Sequence, residues 1–72
     1  MDELPITGYR KLTEQEVGLV NKIKAKTEEL GVLIAELKSD PDLDHRWVSI
    51  AQTHFQEGSM AAVRSVTKPT TF

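Results

Sequence analysis

Cysteine is absent from these 72 residues, so neither a disulfide nor a thiolate metal site can hold the chain together. Aromatic side chains are scarce: one Trp, one Tyr and two Phe. The histidines, His45 and His54, stand nine residues apart without companions, which does not make a structural metal site. No metal or other cofactor is expected. No apolar run approaches the roughly twenty residues a membrane span requires, and the N-terminus lacks the charged-then-apolar order of a signal peptide. The chain therefore reads as cytosolic, with no membrane partner. A formal charge of −2 on a surface of mixed sign lacks the basic excess of a protein held to DNA or RNA polymers. Any anionic ligand must be met by local groups.

What remains is a short chain with strong helical periodicity. One small domain is all that this length allows, and it hides little apolar surface by itself. With disulfides and metals excluded, oligomerisation is the remaining source of stability.

Met1 to Arg10 holds Pro5 and Gly8 without a helical period, so residues 1–12 read as an arm, ordered or loose. Thr13-Glu14-Gln15-Glu16 fits a capping box, and Leu12 with Val17 would add a hydrophobic staple. From there Val20, Ile23, Thr27, Leu30, Ile34 and Leu37 recur at alternating steps of three and four, the seam of a packed helix over 13–38. Leu19, Val32 and Leu33 form a second apolar line that one partner helix cannot also cover, which predicts a partner chain. Gly18 and Gly31 weaken a helix by about 1 kcal/mol each relative to Ala. They either permit the close approach of a neighbouring helix or ligand, or are merely tolerated.

Ser39-Asp40-Pro41-Asp42 marks a turn over 39–43, with Asp40 and Asp44 as competing N-caps. A second helix follows over 44–67. Val48, Ala51, Phe55, Gly58, Ala62 and Val66 fall on one side of it, and Trp47 and Ile50 widen that side. Lys68 precedes Pro69 and is pushed out of the α region, leaving 68–72 as an extended tail. The expected architecture is all-α: a two-helix antiparallel hairpin, one domain, that assembles into a compact homo-oligomer.

No arrangement for catalysis is visible. His45, His54, Glu28, Glu29 and Glu57 are the plausible acid–base groups, and there is no Cys and no Ser set in a strained turn. Chemistry suited to nucleotides lies elsewhere. Tyr9 beside Arg10 offers a base-stacking plane and a guanidinium, although Tyr9 could equally pack on the start of the first helix. Lys22, Lys24 and Lys26 place cations on that helix, of which at most two share one face. Near the end of the second helix, Arg64 is followed by Pro69-Thr70-Thr71, a cation with polar groups beside it, or else an arginine that serves the helix dipole.

The run Asp44-His45-Arg46-Trp47-Val48-Ser49-Ile50-Ala51, then Thr53-His54-Phe55-Gln56, Met60-Ala61 and Val63-Arg64-Ser65-Val66 up to Pro69, resembles the C-terminal helix of the phage anti-CBASS/anti-Thoeris hairpin family. Gly8-Tyr9-Arg10-Lys11-Leu12-Thr13 extends the resemblance to nearly the whole chain. Ser59 and Ala62 depart from it, standing where larger apolar residues are expected. The resemblance implies a non-enzymatic protein, working in the cytoplasm of the infected bacterium, that soaks up cyclic nucleotide signals. It implies that Tyr9, with Arg10 beside it, stacks on a base of a cyclic dinucleotide while Lys24, with Lys26 as a further candidate, meets the phosphate. A second protomer would close that pocket. For the anti-CBASS branch it implies a separate cyclic trinucleotide site at Arg64, Pro69, Thr70 and Thr71. A homohexamer is the implied assembly. Cyclic ADP-ribose isomers, as in the anti-Thoeris branch, are the alternative ligand, and a helical adaptor without a small ligand is the alternative class.

Overall fold

The computed structural model of the protein describes residues 11–69. Within them the chain forms two helices, α1 (Glu14–Ser39) and α2 (His45–Thr67), which run antiparallel as a hairpin. Tyr9, Arg10, Thr70 and Thr71 lie outside the described residues.

Thr13 starts α1 with a complete capping box. The Glu16 amide donates to the Thr13 hydroxyl at 3.1 Å, and the Glu16 carboxylate accepts from the Thr13 N–H at 2.9 Å. Glu14 and Glu16 in the first turn and Lys38 in the last complement the helix dipole. Along α1, Val20, Ile23, Thr27, Leu30 and Leu37 are half-buried and Ile34 is buried, so the alternating seam is the face packed on α2.

Asp44, not Asp40, caps α2. Its carboxylate accepts from the Arg46 amide at 3.1 Å and the Trp47 amide at 3.4 Å. Asp40 instead ends α1: its N–H donates to the Leu37 carbonyl, and its carboxylate accepts from the Asp42 amide at 2.9 Å. That local turn occupies the side chain a cap would need, and Pro41 stands within it. His45 Nε2 lies 2.8 Å from the Asp40 carbonyl and ties the start of α2 to the end of α1.

On α2 the packed strip is Val48, Ala51, Gln52, Phe55, Ser59, Ala62 and Val66, with Ile50 at its flank. Two expected members fall outside it. Gly58 is exposed, and Trp47 is 60% exposed with the Arg46 guanidinium 5.9 Å from its ring centroid. A single opposing helix covers only a narrow strip, and Val48 takes the place facing α1 at that height. Trp47, one residue and about 100° away, is left on the outside.

At the other end of α2, Lys68 adopts the left-handed conformation, with φ 45° and ψ 58°. An extended residue was expected before Pro69. The Lys68 N–H donates to the Arg64 carbonyl at 2.8 Å, satisfying one of the open carbonyls of the last turn, as in helices that end on a left-handed residue.

The hairpin encloses little. Among the described residues Ile34 and Val48 are the buried apolar side chains, at 5% and 7% exposure, while Val17, Leu19, Val32, Leu33 and Met60 are exposed. The radius of gyration is 15.6 Å, against about 11 Å for a compact chain of this length.

Candidate functional site

Antiparallel pairing sets the first half of α1 beside the second half of α2. Midway along the hairpin the facing residues are small and hydroxylated. Thr27 Oγ1 lies 2.8 Å from the Ile23 carbonyl and 2.9 Å from Ser59 Oγ. A carbonyl can only accept, so the single Thr27 proton goes to Ile23, and the Ser59 hydroxyl donates to Thr27. Around this pair the helices part into three surface grooves, and Thr27 and Ser59 line all of them.

The largest groove, about 480 Å³, is the one with cations from both helices. Lys24 and Glu28 of α1 and Arg64 of α2 stand on its rim, over a lining of Ile23, Met60 and Val63 with the hydroxyl pair. On the other side of the hairpin a groove of about 380 Å³ carries Lys22, Lys26 and His54, with Phe55 and Gly58. The third, about 170 Å³, is lined by Leu30, Ile34, Gln52 and Phe55 and carries no charge.

These positions rearrange the site residues read from the sequence. Lys24 and Lys26 are not brought together: Lys26 shares its groove with Lys22 and lies 3.6 Å from the Glu29 carboxylate. Lys24 is brought instead to Arg64, forty residues on in sequence, because the hairpin sets the first half of α1 beside the second half of α2. The sequence separation of the two expected sites does not translate into distance between these two cations. Pro69 is half-buried next to the left-handed Lys68. Thr27 and Ser59 line the grooves without having been singled out from the sequence; the available signal was a hydroxyl inside each apolar seam, opposite the other once the helices are paired. Gly18, Gly31 and Gly58 have open space where a Cβ would stand, so no close approach among the described residues explains them.

His54 Nδ1 lies 3.2 Å from a Glu57 carboxylate oxygen, with both side chains about 70% exposed. Open to water, such a pair is a surface contact. Among the described residues no cluster of His, Asp or Glu could hold a metal ion, and no helix is long and apolar enough to cross a membrane.

A capped two-helix hairpin with so little enclosed core, and with a cation-rimmed apolar groove along its side, defines a small helical-hairpin protein. The chain belongs to the Acb2/Tad1 hairpin-domain family, whose match covers residues 1–67. It is 30% identical to Anti-CBASS protein 2 of Pseudomonas phage JBD67, over 89% of this chain and 91% of that protein. The alignment runs to 98 positions against a chain of 72, so the relative holds residues with no counterpart here.

Proposed function

We propose that this is a phage anti-CBASS protein that binds cyclic di- and trinucleotide second messengers and sequesters them, intact, in the cytoplasm of the infected bacterium. The likeness to Anti-CBASS protein 2 over most of both chains carries this reading. The groove rimmed by Lys24 and Arg64 supports it, since two cations above an apolar floor suit a ligand with phosphates and flat bases. Tyr9 and Arg10 supply the stacking plane and a further cation for a cyclic dinucleotide, and Lys24 its phosphate contact. Lys26 serves a ligand only from the opposite groove or across a neighbouring protomer. Arg64, with Pro69, Thr70 and Thr71, receives cyclic trinucleotides.

Function of this kind needs no bond chemistry. Bound sites lower the free signal by mass action, provided that the protein is abundant and release is slow. The working form is a homo-oligomer, with a hexamer as the expected number. Val17, Leu19, Val32 and Leu33 give α1 an apolar surface that the single hairpin leaves in water, and other copies of the hairpin would cover it.

Calorimetry of the full chain with a panel of cyclic di- and trinucleotides and cyclic ADP-ribose isomers tests the reading. Saturable binding of a cyclic oligonucleotide is expected. Binding of the cyclic ADP-ribose isomers alone would assign the chain to anti-Thoeris activity. No binding by the folded protein would favour the adaptor reading, to which the exposed Leu19, Val32 and Leu33 line is equally suited.

A further inference from the structure

The Thr27–Ser59 pair is not explained by packing alone. Both side chains stand in the seam between the helices, where Leu or Ala would bury more apolar surface and strengthen a hairpin that has little core to spare. Instead the two hydroxyls hold the waist open, and all three grooves meet on them.

The protons of this pair are fully committed. That of Thr27 is spent on the Ile23 carbonyl at 2.8 Å, and that of Ser59 on Thr27 at 2.9 Å. What the pair can still offer is lone pairs, on Ser59 Oγ above all, since a hydroxyl oxygen accepts twice and that of Ser59 accepts from no group in these bonds. The floor of the groove is therefore an acceptor. On the rim, Lys24 and Arg64 supply positive charge, and Glu28, one turn beyond Lys24, repels phosphate from its own end. A volume of about 480 Å³ falls within the usual range of small-molecule clefts, about 300–1,000 Å³.

We propose that the Thr27–Ser59 hydroxyl pair is a specificity element of the ligand groove, which selects cyclic nucleotides whose bases carry an exocyclic amino group. Such a base lies against Ile23, Met60 and Val63, directs its amino protons at the lone pairs on the floor, and leaves its phosphates to Lys24 and Arg64. A base with a carbonyl oxygen at that atom sets acceptor against acceptor and is disfavoured. The inference rests on the function proposed above and goes beyond it in naming the discriminating atoms.

The test compares cyclic di-AMP with its deaminated hypoxanthine analogue, in which a carbonyl oxygen replaces the amino group and the neighbouring ring nitrogen N1 changes from acceptor to donor. Calorimetry on the full-length protein should find the amino form bound about tenfold more tightly, the scale of one neutral hydrogen bond gained against one repelled. In the double variant Thr27→Val/Ser59→Ala, which removes both hydroxyls with little change of volume, the ratio should fall to about one while binding persists and the oligomeric mass is unchanged. Ser59→Leu should fill the waist, raise the melting temperature and abolish binding of both ligands. An undiminished ratio in the double variant overturns the assignment of these hydroxyls and leaves the sequestration function standing. Failure of the folded wild-type protein to bind any cyclic nucleotide overturns both.

Discussion

Lys68 shows how much one residue's backbone can contribute. A side chain in the left-handed region, here at φ 45°, carries a penalty of about 1–2 kcal/mol that glycine escapes. Lys68→Gly should raise the unfolding free energy by up to about 1 kcal/mol, read as a shift in denaturant midpoint at constant slope. The residues proposed to meet ligand call for a different readout. Tyr9→Ala should remove a stacking surface of about 1–3 kcal/mol per base and lower cyclic dinucleotide affinity by roughly five- to more than a hundredfold. Arg64→Ala deletes a charge-assisted contact of about 1.5–3 kcal/mol, so cyclic trinucleotide binding should fall about tenfold or more. Arg64 and Lys24 line one groove, so dinucleotide binding should also fall in this variant, but by less. Equal loss of both ligands at unchanged oligomeric mass would mean a single pocket.

At the scale of elements, each helix is specified chiefly by its starting cap and its seam. Asp44 accepts two amide protons at the start of α2, and Asp44→Ala should cost about 1 kcal/mol of stability in chemical denaturation. Asp40→Ala, which loses the turn bond to Asp42, should cost less. A reversed order would show that the helix begins earlier than His45. Much of this was legible in the residues themselves. The capping box at Thr13 and the seam from Val20 to Leu37 follow from local chemistry and a period of 3.6, and neither needs knowledge of the partner helix. The choice between Asp40 and Asp44 was not legible, because both are good caps and a competing turn decides between them. Trp47 was misplaced for a related reason: periodicity says which residues share a side, not how wide a strip the opposing helix covers. The Lys24–Arg64 groove was hidden more deeply. It joins residues from opposite ends of the sequence, and only the pairing of the two helices brings them to one wall.

The whole molecule is a rod with an incomplete interior. Gly18 and Gly31 bear on this directly, since among the described residues no other part of the hairpin lies within 4 Å of where a Cβ would stand. In an isolated hairpin, alanine at either position should therefore stabilise the helix by about 1 kcal/mol. If other copies pack closely on α1, the same substitutions should lower the oligomeric mass seen by light scattering. Leu33→Glu should weaken assembly as well, by placing an unpaired charge where the apolar line of α1 is covered. A stable monomer at micromolar concentration, unaffected by any of these changes, would contradict the proposed assembly.

Native mass spectrometry of the full chain with a cyclic dinucleotide reads the central claim in a single spectrum. The expected species has a protein mass that is a multiple of 8.1 kDa and carries ligand whose own mass is unchanged. An 8.1 kDa monomer without ligand, or a bound product whose mass differs from the nucleotide supplied, would contradict sequestration by an assembled hairpin.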